Sequence, residues 1–301
     1  KEIIEQGLKD GAFVKEDGAV TAKFDDKSLP DKVLIRSDGT SLYMTQDVYL
    51  AKLKFDEYEL EKSVYVVGNE QDLHFRQLFA ILDKLGFGFS ENCFHLSYGM
   101  VELPSGKMKS REGTVVDADD MIDEMENLAR EEVKKRYADI GADEVERRAK
   151  AIGQGALKFY LLRTDPARQM LFDPEESISF EGETGPYVMY TYARASSILA
   201  RYAKELSSRF DHSSFDEDEA SIIRLLYDFK VRVLPDACSG MKPSLVARSL
   251  LDICQAFNEY YHKQPVLGSE NETARLYLVA GVREVIRSGL FLLGIDVLEQ
   301  M

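Results

Sequence analysis

Residues 103–114 read LPSGKMKSREGT and place Lys107, Lys109 and Arg111 within five positions, between Gly106 and Gly113. The chain around them is acidic, with a formal net charge of −15. A glycine-bounded basic loop in such a chain suits a compact polyanion. Following a strand of an α/β fold, it can close over a triphosphate, where its cations meet charge developing on the α-phosphate during attack. Preorganised contacts of that kind are worth on the order of 10²–10³ in rate per group. A solvated basic turn has the same composition, so the elements around the loop decide between the two.

Those elements read as α/β. A short helix and strand-like GAVTAKF and KVLIRS precede a hairpin-type turn, SDGT at 37–40. SLYM then continues extended, and Thr45 caps a helix over QDVYLAKLKF with Asp47 in its first turn. SVYVVGN at 63–69 suits a buried parallel strand, DLHFRQLFAILDKLGF at 72–87 has helical periodicity, and CFHLSYGMV at 93–101 is another strand. Strand, helix and strand in that order make a βαβ unit ending at the basic loop. Beyond it nearly every segment is helical. VDADDMIDEMENLAREEVKKRYADI opens on acids and closes on bases, which complements a helix dipole. Later helices are separated by prolines and by the acidic run DEDE at 216–219.

Composition narrows the class. Hydrophobic residues at 45% and charged residues at 30% fit a soluble globular chain, and no apolar run approaches the roughly 18–20 residues of a membrane span. Cys93, Cys238 and Cys254 lie far apart and the histidines lack metal-ligand spacing, which favours a reducing cytoplasm and no tightly bound metal. Two local clusters oppose the acidic average. Residues 186–210 hold Arg194, Arg201, Lys204 and Arg209 against Glu205, and residues 222–248 hold five bases against Asp228 and Asp236. These are phosphate-binding patches or ordinary solvated helix faces.

The basic loop resembles the KMSKS signature of class I aminoacyl-tRNA synthetases. Lys107-Met108-Lys109-Ser110-Arg111 carries lysine at the place of the first serine, and forms reading K-M-S-T-R-x-G are typical of the arginyl branch. The resemblance implies that Lys107, Lys109, Ser110 and Arg111 share the catalytic neutralisation of ATP, with Met108 beside the nucleotide. GTSLYMTQDV at 39–48 resembles the arginyl LY-x-T-x-D segment, and VGNEQDLHFRQLF at 67–79 its Q-x-x-H segment. That implies an arginine pocket of Tyr43, Asp47 and Gln71. The chemistry agrees, because a guanidinium is a planar fork of five donors that wants a carboxylate. The same resemblance implies His74, Gly99, Met100 and Val101 near ATP.

The helical half resembles the DALR anticodon-binding domain of these enzymes. Its tetrapeptide reads Leu245-Val246-Ala247-Arg248, followed by AFNEYYH and PVL, with GETGPYVMYTYAR at 182–194 resembling the entry segment. LGIDVLEQM ends in Met301, a residue that in the family lies near the anticodon. Splayed bases need aromatics beside basic groups, so the implied tRNA contacts are Tyr187, Arg194, Arg248, Asn258, Tyr261 and Met301. Most aromatics at helical spacing serve the helix core as well.

The expected fold class is α/β followed by all-α: the C-terminal half of a Rossmann-type catalytic domain over 1–118, connecting helices over 119–182, and a DALR-type bundle over 183–301. The expected function is arginine–tRNA ligation, with ATP as substrate together with Mg²⁺, partners arginine and tRNA(Arg), a monomeric state and no membrane. No HIGH motif precedes residue 43, so the chain alone is expected to be inactive in arginine activation. A noncatalytic RNA-binding relative of a class I synthetase is the alternative.

Overall fold

The structure is a computed structural model and describes residues 2–104, 106–107, 117–202 and 215–301, with the backbone alone at Gly106 and Lys107. Met108, Lys109, Ser110 and Arg111, and the cluster residues Lys204 and Arg209, lie outside the described residues. The chain divides into two compact units, Lys1–Met100 and Val101–Met301.

In the first unit, α1 (Glu2–Lys9) leads into an antiparallel sheet of β1 (Val14–Glu16), β2 (Ala19–Ala22) and β3 (Lys32–Ile35). The turn at 37–40 forms as expected. Gly39 sits at φ +84°, its N–H reaches Arg36 O at 2.9 Å, and Ile35 bridges Ser41. Helix α2 (Tyr43–Glu57) then begins earlier than the sequence suggests. Leu42 is the extended residue at its start, and Thr45 lies inside the first turn, where its hydroxyl bonds back to Leu42 O at 2.6 Å. SLYM is therefore not a strand, Thr45 is not the cap, and Asp47 stands beyond the first turn, where the dipole has faded. Strand β4 (Ser63–Gly68), a 3-10 turn Asn69–Gln71, α3 (Asp72–Lys84) and β5 (Cys93–Tyr98) complete the expected βαβ unit. β4 and β5 pair in parallel from Ser63↔Cys93 to Gly68↔Tyr98. The core of this unit is Leu34, Val48 and Ala51 against Leu78, Ile81 and Leu82, all fully buried.

The strand expected over 93–101 breaks at Gly99-Met100, and β6 (Val101–Leu103) opens the second unit. A side-chain-free residue adds nothing to strand packing, which suits Gly99 to the break. β6 pairs antiparallel with β7 (Gly106–Lys107), with Glu102↔Lys107 in register. Helix α4 (Ala118–Arg136) follows. Asp117 caps it through the Asp119 N–H at 3.1 Å, with acids in its first turn and Lys134, Lys135 and Arg136 in its last. Helix α5 (Ala142–Leu162) folds back against α4, closely enough that a Cβ on Gly153 would stand 2.7 Å from Met125 O.

Strand β8 (Met170–Leu171) joins β6 in parallel, and α6 (Pro174–Ser177) and α7 (Gly185–Tyr202) follow. The acidic run at 216–219 does not separate helices but starts one. Asp216 and Glu219 form a reciprocal capping box at the head of α8 (Glu217–Asp228). Nor does Pro235 end the next segment. A π-helical stretch, Phe229–Val233, carries the chain into α9 (Leu234–Gly240), and the wider turn relieves the clash of the proline ring with the preceding turn. Helices α10 (Pro243–Lys263) and α11 (Glu272–Leu292) complete the bundle. Its core includes Met125, Phe159, Tyr192, Phe257, Tyr260 and Leu290. Among the described residues no helix is long and apolar enough to cross a membrane.

At the start of α5, hydrogen bonds from Arg147 and Arg148 hold the Glu144 carboxyl at about 2, below its ordinary 4.5. A carboxyl depressed in the folded state contributes stability above its unfolded pKa and loses it as pH falls through the folded value. Acid is therefore expected to loosen this turn between about 4.5 and about 2. An NMR pH series on Glu144 checks this; a midpoint at the ordinary value would mean that neither guanidinium holds the carboxylate in solution.

Candidate functional site

In the first unit, Asp47 meets His74. Asp47 Oδ2 lies 2.8 Å from His74 Nε2, bridging the second turn of α2 to the first turn of α3. One turn before Asp47, on the same helix face, stands Tyr43, 80% exposed. One turn before His74 stands Gln71, the exposed residue at the head of α3. This helix end follows directly from the carboxyl end of β4, the edge at which open parallel sheets bind ligands. Gly99 and Met100 follow the carboxyl end of β5, Gly99 buried and Met100 exposed. Val101 belongs to the second unit.

A second histidine steadies this edge. His95 Nε2 lies 3.0 Å from the Val67 carbonyl. A carbonyl only accepts, so Nε2 carries the proton. His95 Nδ1 faces Asp72 Oδ1 at 3.5 Å, and Asp72 accepts from Ser97 Oγ at 2.6 Å. The Phe75 ring packs on His95 at 4.3 Å and meets the edge of His74 at 5.5 Å. Phe75 thus fixes both imidazoles. Asp47 keeps 38% of its side chain exposed and His74 22%. The carboxylate is oriented by one oxygen and open at the other.

The second unit brings another set together. The Arg194 guanidinium lies between two rings, 5.0 Å from the centre of Tyr190 and 5.2 Å from that of Tyr261. Arg194 Nη1 donates to Asn258 Oδ1 at 2.5 Å. The Asn258 amide nitrogen donates to Tyr187 Oη and to Thr191 Oγ1, each at 3.0 Å. Both amide hydrogens and the amide oxygen are then used, which fixes the amide in one orientation. Burial pushes the Tyr187 phenol up, while the Asn258 hydrogen bond opposes that rise. Tyr190 also meets Phe180 edge-on at 6.4 Å, and the Arg136 guanidinium covers Phe180 at 3.9 Å.

This stack divides two open pockets. One, of about 620 Å³, is lined by Arg136, Phe180, Tyr187 and Asn258; the other, of about 330 Å³, by Arg201, Tyr261 and Met301. Tyr190 and Arg194 line both. Five of the residues that the sequence singles out, Tyr187, Arg194, Asn258, Tyr261 and Met301, therefore share one locality. Arg248 does not line either pocket and pairs with Glu183 at 2.8 Å and Asp252 at 3.4 Å. The sequence reading misses Arg136 and Phe180. Arg136 reads as a helix-end base, and nothing in spacing ties it to α7. Lys107 stands in the β6–β7 hairpin, described by its backbone alone.

Rings flanking a planar cation beside open pockets can stack and hydrogen-bond flat heterocycles, and an oriented carboxylate can receive a cationic ligand. Residues 188–301 match the DALR anticodon binding domain. "Arginine--tRNA ligase" of Parabacteroides distasonis is 44% identical over 306 residues, covering 98% of this chain and 51% of that protein. "Arginine--tRNA ligase" of Bacteroides thetaiotaomicron is 43% identical, covering 100% of this chain and 52% of that protein. The chain thus spans about half the length of the curated relatives it matches. The solved Thermus thermophilus arginyl-tRNA synthetase superposes with a TM-score of 0.86 at 26% identity, over 100% of this chain and 58% of that one. Residues 1–173 match the catalytic domain of tRNA synthetases class I (R), and the chain belongs to that family.

Proposed function

We propose that this chain is part of an arginine–tRNA ligase and is inactive in arginine activation on its own. The arginine carboxylate attacks the α-phosphate of ATP and pyrophosphate leaves; a tRNA(Arg) hydroxyl then attacks the arginyl carbonyl of the adenylate and AMP leaves. In this reading Tyr43, Asp47 and Gln71 receive arginine. The Asp47 oxygen not engaged by His74 takes a guanidinium N–H, and the His74 contact at 2.8 Å orients the carboxylate. Gly99, Met100 and Val101 line the approach of adenine, as does Met108. Lys107, Lys109, Ser110 and Arg111 counter the phosphate charge of magnesium-bound ATP. Residues 1–118 then act as the catalytic part, 119–182 as connecting helices and 183–301 as the tRNA-binding part.

The observation that carries the proposal is Arg194 between Tyr190 and Tyr261, locked by Asn258 and facing two pockets. A nucleobase entering either pocket finds a ring or guanidinium face to stack on and amide or phenol groups at its edge. Arg194→Ala is expected to weaken binding of a tRNA(Arg) transcript about 10–100-fold, because stacking is worth about 1–3 kcal/mol per base. Fluorescence anisotropy on the 301-residue chain at fixed salt checks this. The wild-type affinity should fall steeply as salt rises. Equal binding by Arg194→Ala and wild type would remove the stack from tRNA recognition.

A further inference from the structure

Helix α7 presents two sets of side chains. Tyr187, Tyr190 and Arg194 build the stack just described. Tyr192 and Ser196, one turn apart, serve the segment that follows α11. That segment leaves the helix at Gly294, φ +68°, with Ile295 N–H bonding back to Leu290 O at 2.9 Å. Lys158 Nζ holds the Gly294 carbonyl at 2.6 Å, and Ile295 and Leu298 are buried in the bundle core. Between Leu298 and Met301 the chain is fastened at Glu299. Its Oε1 accepts from Tyr192 Oη at 2.6 Å and from Arg283 Nη2 at 2.7 Å. Arg283 in turn lies over the Tyr192 ring at 5.1 Å and donates from Nε to Ser196 Oγ at 2.7 Å.

The clasp is misplaced for a stabilising device. Glu299 is 61% exposed, and an ion pair open to water contributes little to folding. The buried residues Ile295, Leu298 and Met301 hold the segment by their apolar contacts. Glu299 is the polar fastening between Leu298 and Met301, and Gln300 and Met301 line the smaller pocket together with Arg194 and Tyr261.

We propose that Glu299 is a positioning residue for nucleobase recognition: clasped by Tyr192 and Arg283, it sets Met301 as part of the pocket wall beside Arg194 and Tyr261. This rests on the reading that the stack receives a tRNA base. Met301 then supplies a polarisable apolar surface to the base, and the clasp sets the width of the slot. Tyr192 is shared between core and clasp, its ring buried and its hydroxyl on Glu299.

The test is anisotropy binding of the 301-residue chain to a tRNA(Arg) transcript and to one with a substituted anticodon base. Glu299→Ala is expected to weaken the cognate complex about tenfold and to erase most of the discrimination between the two transcripts. Glu299→Gln keeps an acceptor for Tyr192 and is expected to retain discrimination. Deleting Gln300 and Met301 should reproduce the loss, and adding Glu299→Ala to that deletion should cost nothing further, as for groups acting in series. Unchanged discrimination in Glu299→Ala, or losses that add, overturns the proposal. If Glu299→Ala fails to melt like the wild type, the deletion decides by the same criterion. Arg194→Ala separates the two readings: no loss there sinks nucleobase stacking itself, whereas a loss there beside an unaffected Glu299→Ala sinks the clasp alone.

Discussion

Asp47→Ala is expected to raise the KM for arginine about 10²–10⁴-fold, because stripping a half-buried charge of its partner costs about 3–5 kcal/mol. The carboxylate is held by His74 at 2.8 Å and open on its other oxygen, so it is preorganised before ligand arrives. A guanidinium bound there would lose its counter-charge with no water-filled replacement of equal geometry. Asp47→Asn keeps the shape and the His74 contact but removes the charge, and should recover only a small part of the loss. The measurement is arginine-dependent charging of tRNA(Arg) by protein expressed from the complete gene. His74→Ala should act more weakly than Asp47→Ala, since it disorients the carboxylate without removing it. An arginine KM unmoved by Asp47→Ala would take this carboxylate out of the pocket.

The second large effect concerns stability. Glu219 is 1% exposed and carries three hydrogen bonds: Arg275 Nε at 2.8 Å, Tyr260 Oη at 2.9 Å and the Asp216 N–H at 3.0 Å. Arg275 spends a further N–H on the Pro265 carbonyl at 2.7 Å. Arg275→Ala leaves a buried carboxylate with two neutral donors and no cation, at an expected cost of about 3–5 kcal/mol. For a unit of this size that is a fall in melting temperature of roughly 6–20 °C. Burial and the neighbouring Glu219 push the Tyr260 phenol up, so that hydroxyl stays a donor throughout the neutral range. Replacing the pair together, Arg275→Met with Glu219→Leu, should cost less than Arg275→Ala alone, because no charge is stranded. Urea denaturation at constant m-value checks both. A single variant as stable as wild type would show the pair to be solvated.

How much of this could be read beforehand follows from how local each cause is. The βαβ unit was legible because SVYVVG, the helical period of 72–84 and CFHLSY each declare themselves within a few residues. The start of α2 was not, since Thr45 has two uses for its hydroxyl and only the folded chain shows it bonding backward to Leu42. Asp47 and His74 are 27 positions apart, and their contact depends on how α2 packs on α3. Family resemblance placed Asp47 and His74 in separate roles; packing puts them in one hydrogen bond. In the helical half, Tyr187, Arg194 and Tyr261 were legible as aromatics and a base on two helices, while Asn258 came only from the family resemblance. The Arg136–Phe180 contact joins elements that no periodicity relates. Arg248 was singled out by its tetrapeptide; its partner Asp252 lies one turn on in the same helix, while its partner Glu183 depends on the fold.

The π-helical stretch between α8 and α9 gives the gene a place where one residue can be lost. The wider turn absorbs a surplus residue, so α9 keeps the rotational phase that buries Ala237 and exposes Asp236 and Cys238. Deleting a single codon from 229–233 would return the chain to ordinary winding with that phase kept, and would bring the Pro235 ring back against the preceding turn. The same deletion inside α10, where no wide turn absorbs it, would rotate everything after it by about 100°.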